Sequence, residues 1–269
     1  MTDRLPKPKR SFGQNFLIDK NFVRKIINAA RLTESKTVVE IGPGHGALTE
    51  ELVKLSGEVI AIELDRELAA ILKNQFEAIE NFRLLQADAL DVDFERLASE
   101  SGSKLTLVAN LPYNISTAIL THLISYRNSF AELILMFQRE VADRISAGPA
   151  TSDRGYLTIT AEAFMIVERL FDVPPTAFKP VPKVWSSVVR LIPRDDTEFD
   201  TDTGLFQSLV SNAFRQKRKT LLNNLKQSAA ALHISDAGKL LEAANIDPSR
   251  RAETLRIEEW ERLFVRLRG

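Results

Sequence analysis

Residues 38–52 read VVEIGPGHGALTEEL, and they indicate the architecture of the first half of the chain. A β-branched apolar run ends at Ile41, glycines follow at positions 42, 44 and 46, and an amphipathic run comes next. This order predicts a buried strand, a tight turn and a helix, because glycine accepts unusual backbone angles and lets a ligand approach the backbone closely. Gly42, Gly44 and Ala47 also satisfy the dinucleotide pattern G-x-G-x-x-A. Alone, the stretch indicates a nucleoside site of undecided type.

Similar apolar runs continue on both sides of this turn. The predicted strands are TVVEIG (37–42), EVIAIEL (58–64), FRLLQA (82–87), KLTLVAN (104–110) and AELILMF (131–137). Amphipathic stretches separate them: ALTEELVKL, RELAAILKNQF and STAILTHLI. Continuous apolar strands alternating with helices predict an α/β fold with a parallel sheet covered on both faces. In such a sheet, ligands bind at the carboxyl ends of the strands.

The second half changes character near residue 194. The proline-rich segment 173–191 runs into a final predicted strand, SSVVRLI, and a polar acidic stretch, RDDTEFD, follows it. Beyond that stretch the pattern is helical only. We therefore expect an α/β domain over residues 1–193, a linker over 194–200 and a small all-helical domain over 201–269. Residues 1–10 are expected to be a disordered basic tail.

Composition excludes several kinds of chemistry. The 269 residues include no cysteine and only three histidines, which have no ligand spacing. Disulfides and thiolate nucleophiles are therefore impossible, and a metal site is not expected. No apolar stretch approaches the ~20 residues of a membrane span, so we expect a cytoplasmic protein without a membrane partner.

The net charge of zero hides an uneven distribution. Residues 1–36 carry nine Lys/Arg against three Asp/Glu, residues 37–150 carry nine against seventeen, and residues 201–269 carry twelve against eight. Basic ends around an acidic middle suggest an anionic partner held at the periphery, although an ordinary solvated surface explains the charges equally well.

Three acidic residues stand at or near predicted strand ends. A carboxylate at Glu40 would repel a pyrophosphate and would suit a ligand with an amino group and a sulfonium, such as S-adenosylmethionine. Glu63 lies where an acid holds a ribose diol in nucleotide-binding folds. Asp88 could accept a hydrogen bond from an adenine amino group. For Glu40 and Asp88, a helix-capping or turn role is the alternative.

Residues 110–117, NLPYNIST, end a predicted strand with an amide, a proline and an aromatic ring. An exocyclic adenine amine is a poor nucleophile because its lone pair is delocalised into the ring. The side-chain oxygen of Asn110 and the carbonyl of Leu111, aimed by Pro112, could accept its two N–H groups and free that pair. Tyr113 could stack on the base. The alternative is a proline-containing turn with a packing tyrosine. Methylation at carbon 5 of a pyrimidine usually needs a thiolate, which this chain lacks.

These motifs resemble a known family. The stretches GQNFL (13–17), EIGPGHGALT (40–49), ELD (63–65), NLPYNIS (110–116), PPTAFKPVPKVWSSVVRL (174–191) and AFRQKRKTLLNNL (213–225) match the ribosomal RNA small-subunit adenine dimethyltransferases of the KsgA type. The resemblance covers the chain from about residue 11 onward.

The resemblance implies a Rossmann-like methyltransferase domain, with an antiparallel strand near the sheet edge, followed by a helical domain. It implies dimethylation of two adjacent adenines near the 3′ end of small-subunit ribosomal RNA, in a small-subunit assembly intermediate, by a monomer. By matching positions, the residues expected to line the S-adenosylmethionine pocket are Asn15, Leu17, Gly42, Glu63, Asp88 and Asn110. Glu40 and Gly44 are added from the local pattern. Tyr113 and Phe178 are expected to hold the flipped adenine between them, although a core role for Phe178 is the alternative.

Three alternatives stay open on sequence grounds. One is a large-subunit ribosomal RNA methyltransferase of the antibiotic-resistance type, which shares the first domain. Another is a fold relative that acts as a nucleic-acid-binding assembly or transcription factor, which intact Glu63, Asn110 and Tyr113 disfavour. The third is a nicotinamide oxidoreductase, which Glu40 and the NLPY stretch disfavour.

The helical half contains a cluster of basic residues at the predicted start of a helix. We expect Arg215, Lys217, Arg218 and Lys219 to contact RNA phosphates, and Lys9 and Arg10 to be a second basic contact. The alternative is a solvated basic helix start.

Overall fold

The computed structural model describes residues 14–195 and 197–269, which divide into two units. The first contains the described residues up to Ala142 together with Glu168–Pro193, and the second contains Asp143–Val167 and Arg194–Gly269. Lys9, Arg10 and the rest of the predicted basic tail lie outside the described residues.

Strands and helices alternate along the first half. The strands are β1 (Phe16–Leu17), β2 (Thr37–Ile41), β3 (Glu58–Ile62), β4 (Phe82–Leu85), β5 (Leu105–Asn110), β6 (Phe130–Gln138), β7 (Met165–Val173), β8 (Phe178–Lys179) and β9 (Ser186–Pro193). The helices are α1 (Lys20–Ala29), α2 (Thr49–Leu55), α3 (Arg66–Gln75), α4 (Phe94–Ser101), α5 (Ser116–Ser125), α6 (Arg139–Ile145), α7 (Tyr156–Phe164), α8 (Thr203–Ala213), α9 (Leu221–Gln227), α10 (Ala237–Ala243) and α11 (Ile257–Arg268).

The main sheet has the strand order β4-β3-β2-β5-β6-β9-β7. Neighbouring strands from β4 to β6 are parallel, and β9 runs antiparallel to β6. All five residues of β2 are buried, as expected for a central strand covered on both faces. The predicted α/β fold and its antiparallel strand near the edge are therefore confirmed.

Hydrophobic packing between α2 and the sheet stabilises the connection after β2. Leu48 and Leu52, at the start of the segment that forms α2, are buried in one hydrophobic cluster with Val38 and Val108 of the sheet. The apolar face of the helix therefore covers the sheet, as its amphipathic sequence predicts. Parallel pairing brings the carboxyl ends of β2, β3, β4 and β5 to the same edge, where the site lies.

A second, two-stranded sheet lies beside this edge. Strands β1 and β8 pair antiparallel, with Phe16 opposite Lys179 and Leu17 opposite Phe178. The amide of Ile18 donates to the Ala177 carbonyl at 2.9 Å and extends this pairing.

Aromatic side chains form the core of the second unit. Phe164, Phe199, Phe206 and Phe264 are each at most 3% exposed, and the rings of Phe199 and Phe206 lie 4.2 Å apart. Because Phe199 is part of this core, residues 197–200 are not the free linker that their polar sequence predicts.

The predicted domain boundary also differs from the structure. Residues 143–167, assigned by the sequence to the first domain, belong to the second unit. Buried Arg154 explains part of this: its guanidinium donates to the carbonyls of Ala147 and Leu255, at 2.9 and 3.0 Å, and ties the segment to the C-terminal helices. Within residues 14–195 and 197–269, no helix is both long enough and apolar enough to span a bilayer.

Candidate active site

The glycine turn after β2 forms one wall of a pocket. Gly42 and Gly44 have φ values of +68° and +60°, a region that other residues rarely adopt. A Cβ added at Gly44 would lie 2.8 Å from Cδ1 of Phe16, which also lines the pocket. The turn therefore needs glycine both for its backbone angles and for the space beside Phe16.

Glu63 follows β3 and lines the same pocket. It is 6% exposed, and its carboxylate accepts the amides of Asp65 at 2.9 Å and Gly44 at 3.3 Å. Burial raises the pKa of Glu63, whereas these backbone hydrogen bonds oppose the rise. The carboxyl group is thus held in one orientation between the glycine turn and the start of α3.

Asp88 follows β4 and also lines the pocket. Its Oδ1 accepts the Leu90 amide at 2.9 Å and caps a short 3-10 helix, Ala89–Asp91. No described residue donates to its Oδ2. The capping alternative is therefore correct, and it leaves the second oxygen available to a ligand.

Asn110 ends β5 at the same edge. Its side-chain Nδ2 donates to the carbonyl of Asn15 at 3.0 Å, which leaves Oδ1 as an acceptor. Within the described residues, neither this Oδ1 nor the carbonyl of Leu111 accepts a hydrogen bond. The Leu111 amide donates to the Met136 carbonyl at 3.3 Å and fixes the backbone at this point.

Tyr113 lines the pocket beside Asn110 and Pro112. Its phenol lies 2.7 Å from the hydroxyl oxygen of Ser186, the first residue of β9. Burial raises the pKa of this phenol, so it is protonated at neutral pH. The ring is therefore anchored at its hydroxyl end.

Comparisons with known proteins identify the family of the chain. The family model described as "Ribosomal RNA adenine dimethylase" matches residues 6–263. The chain belongs to this family. Proteins named "Ribosomal RNA small subunit methyltransferase A" from Hahella chejuensis and Thiobacillus denitrificans are 42% and 44% identical to it. These matches cover 95% and 97% of this chain and 91% and 98% of the relatives.

Two solved structures extend the likeness. A dimethyladenosine transferase from Plasmodium falciparum has a TM-score of 0.80 and 29% identity, over 94% of this chain and 97% of that one. The 23S rRNA methyltransferase ErmE has a TM-score of 0.71 and 25% identity, over 95% of this chain and 100% of that one. The higher identity to the small-subunit enzymes disfavours the large-subunit alternative.

The dimethylase family uses S-adenosylmethionine, and the pocket residues fit this methyl donor. Glu63 presents a fixed carboxyl group after the second strand of the nucleoside-binding unit, where a ribose diol is held. Asp88 has an oxygen free to accept an adenine amino group. The glycine turn leaves space beside its backbone for the rest of the S-adenosylmethionine molecule.

Glu40, which the sequence analysis expects to face the methyl donor as a carboxylate, does not line the main pocket. It is 1% exposed, it lines a smaller cleft that shares Gly42 and Gly44 with the main pocket, and Thr49 donates a 2.6 Å hydrogen bond to it. Burial raises the pKa of Glu40 to about 8; the Thr49 hydrogen bond opposes this rise, and the charge of Glu63 adds to it. The raised pKa favours the protonated form of Glu40 at neutral pH.

Besides Glu40, two predicted site residues do not line the main pocket. Leu17 is 5% exposed and lines the smaller cleft with Glu40. Phe178 is 1% exposed and lies in the hydrophobic core with Leu17 and Val173. The core alternative is therefore correct for Phe178 in this conformation, because apolar neighbours cover its ring.

Sequence reasoning did not single out several residues of the site. Gln14 donates to Asp65 at 3.3 Å, and the His45 ring lies 4.0 Å from that of Phe16. Ser186 was missed because a serine in an apolar strand has no local signal of function. The family motifs were the only available indication: GQNFL contains Gln14, EIGPGHGALT contains His45, ELD contains Asp65, and the stretch 174–191 contains Ser186.

The basic cluster of the second unit lies in a connection rather than in a helix. Residues 214–220 join α8 to α9, which begins at Leu221 with Thr220 as its N-cap. Arg215, Lys217, Arg218 and Lys219 are exposed, and none forms an ion pair with a described residue. The Nζ of Lys217 donates to the Ser152 carbonyl. The predicted helix start was wrong because Thr220 is the better cap.

Proposed function

We propose that Asn110, Leu111 and Tyr113 hold an adenine of small-subunit ribosomal RNA for methylation, while Glu63, Asp88 and the glycine turn hold S-adenosylmethionine. One observation carries the proposal. The hydrogen bond from Asn110 to the Asn15 carbonyl orients the amide so that its oxygen is free in a pocket that also contains Tyr113 and Glu63.

The two free acceptors suit the exocyclic amine of adenine. Asn110 Oδ1 and the Leu111 carbonyl accept its two N–H groups, which draws the nitrogen toward tetrahedral geometry and localises its lone pair. Bound S-adenosylmethionine supplies a methyl group already activated by its sulfonium. The protein's main task is then alignment, which by itself accounts for large rate increases. The methylated amine is acidic and loses its proton without a strong base.

The adenine must leave its stack to reach this pocket, as for other enzymes that modify bases. Tyr113 supports the extruded base on one face, and its hydrogen bond to Ser186 limits rotation of the ring. Phe178 is the first residue of β8, opposite Leu17 of β1, and its ring lies in the hydrophobic core. It reaches the base only if the overlying residues move.

The finer features of the substrate rest on the resemblance. We propose that the targets are two adjacent adenines near the 3′ end of the RNA, within a small-subunit assembly intermediate. We further propose that the protein acts as a monomer in the cytoplasm. The exposed basic connection at residues 214–220 supports an RNA partner, since its positive charges can neutralise phosphates.

Transfer of labelled methyl groups tests the proposal. We expect the wild-type protein to label undermethylated small subunits and to leave large subunits unlabelled. The Asn110→Ala variant should lose most of the labelling, because one of the two acceptors is removed. Labelling of large subunits alone would overturn the small-subunit assignment, and full activity of folded Asn110→Ala would overturn the role of Asn110.

A further inference from the structure

The segment from Phe178 to Ser186 forms a loop whose two ends are fixed beside the pocket. At one end, Lys179 pairs with Phe16, which lines the pocket. At the other, Ser186 lies in hydrogen-bond contact with the Tyr113 phenol, and the Arg139 amide donates to the Trp185 carbonyl at 2.9 Å. The loop is therefore attached to two residues of the active site.

The middle of this loop is exposed and apolar. Val181 is 65% exposed, Val184 39% and Trp185 46%. Single exposed apolar residues are common, but a large aromatic ring with two apolar neighbours within five residues is a typical contact surface. Trp185 is partly exposed and directly precedes Ser186, whose hydroxyl contacts the Tyr113 phenol.

The charges of the loop favour an anionic partner. Lys179 and Lys183 are exposed, residues 173–194 contain no Asp or Glu, and neither lysine forms an ion pair with a described residue. Two exposed lysines followed closely by an exposed aromatic residue are a combination that binds single-stranded nucleic acid, in which bases stack and phosphates are neutralised. A protein partner would more often meet an apolar patch without such a charge excess.

We propose that Trp185 is a stacking platform for the nucleotide adjacent to the adenine in the pocket, with Lys179 and Lys183 placed against the phosphates of that nucleotide and its neighbour. This inference rests on the proposed function. An extruded adenine leaves an unstacked neighbour, and a flat aromatic surface on the loop next to Ser186 would compensate the lost stacking.

The platform predicts a graded effect of substitutions at position 185. We expect Trp185→Ala to weaken binding to undermethylated small subunits about tenfold, since stacking contributes roughly 1–3 kcal/mol per base. Trp185→Phe should recover most of the affinity, and Trp185→Leu should recover little, because leucine keeps apolar area without a π-face. Ile79→Ala, which removes a 39% exposed residue before the amino end of β4, is the matched control and should bind like the wild type.

Filter binding with subunits and with protein-free small-subunit RNA would measure these affinities, and S-adenosylmethionine titration would show that each variant is folded. Equal behaviour of Trp185→Ala and Ile79→Ala would overturn the proposal, as would recovery by leucine equal to that by phenylalanine. A loss with subunits but not with protein-free RNA would assign the surface to a ribosomal protein and also overturn it. If Trp185→Ala has no effect while Asn110→Ala abolishes methylation, the proposed function stands without the platform.

Discussion

The phenolic oxygen of Tyr113 lies 2.7 Å from the hydroxyl oxygen of Ser186, and this contact joins the strand end NLPY to the start of β9. Ser186 is itself fully buried and paired with Gln138 of β6. The tyrosine ring is therefore positioned by the sheet rather than by its own turn. Substitutions at Tyr113 and at Ser186 can therefore distinguish the effect of the ring on methylation from the effect of its orientation.

We expect Tyr113→Ala to lower single-turnover methylation by about tenfold or more, because a base loses roughly 1–3 kcal/mol of stacking. Tyr113→Phe and Ser186→Ala should each lower it only several-fold, since each removes one hydrogen bond of about 1 kcal/mol. S-adenosylmethionine affinity should stay within a few-fold in all three variants. Near-normal methylation by Tyr113→Ala would show that the ring does not stack on the target.

Glu63 should determine the affinity for S-adenosylmethionine. We expect Glu63→Ala to weaken binding by about 2 kcal/mol or more, since a hydrogen bond to a charged group is lost. Glu63→Gln keeps an acceptor for the Gly44 or Asp65 amide and should bind more tightly than the alanine variant. Calorimetric titration measures both. Unchanged affinity in folded Glu63→Ala would assign this residue to the support of the glycine turn alone.

Glu40 should make stability depend on pH. Its pKa is about 8 in the folded protein against an ordinary value of 4.5, so the folded state keeps a proton that the unfolded state releases. The contribution of Glu40 to the free energy of unfolding is therefore fully present below pH 4.5. It decreases as the pH rises from 4.5 toward 8, by up to about 1.4 kcal/mol per pH unit. In the Glu40→Gln variant this decrease in the free energy of unfolding should be absent, although glutamine keeps an acceptor for Thr49. Denaturant unfolding from pH 5 to 9 compares the two proteins, and identical slopes would contradict the assignment.

The same group predicts proton release on ligand binding. If the amino group of S-adenosylmethionine lies beside Glu40, its positive charge lowers the pKa of the carboxyl group and expels the proton. We expect release of up to about one proton per bound ligand at pH 7, measured by calorimetry in buffers of different ionisation enthalpy. Glu40→Gln should release none. Equal release by the two proteins would place the amino group elsewhere.

The sequence predicted the sheet better than the division into units, and the reason is physical. Strands such as β2 and β5 are buried on both faces, so they appear as continuous apolar runs. Strand β7 lies at the sheet edge and contains Glu168, Arg169 and Asp172, which hide its strand pattern. The preceding segment joins the second unit through Arg154, a long-range contact that no local pattern reports.

In the candidate site, too, local features could be predicted from the sequence and long-range contacts could not. Gly42, Glu63 and Asp88, which line one pocket, could be predicted because strand ends and glycines are local signals. The burial of Phe178 and the protonated state of Glu40 depend on which residues cover them, which periodicity does not specify. The hydroxyl group of Ser186 contacts Tyr113, which lies 73 residues earlier in the chain, so no local pattern reports the contact.

The exposed basic connection should set the affinity for RNA. Changing Lys217, Arg218 and Lys219 to Glu is expected to weaken binding to the small subunit and to flatten its salt dependence. Four phosphate contacts, counting Arg215, correspond to a salt slope of about −3 at ~0.7 per single-stranded phosphate. Because Lys217 donates to the Ser152 carbonyl, the double variant Arg218→Gln/Lys219→Gln isolates the charge effect from local structure. It should reduce the slope by about 1.4.

The double variant Lys239→Gln/Arg266→Gln is the matched control, since it removes the same charge from two other exposed positions of the second unit. It should leave the slope nearly unchanged. S-adenosylmethionine affinity should be intact in every variant, because all residues that line the pocket belong to the first unit. Filter binding across a salt series, with ligand titration in parallel, measures both quantities. If Arg218→Gln/Lys219→Gln binds with the wild-type affinity and slope, RNA recognition lies elsewhere, and the segment around Lys9 and Arg10 becomes the next site to test.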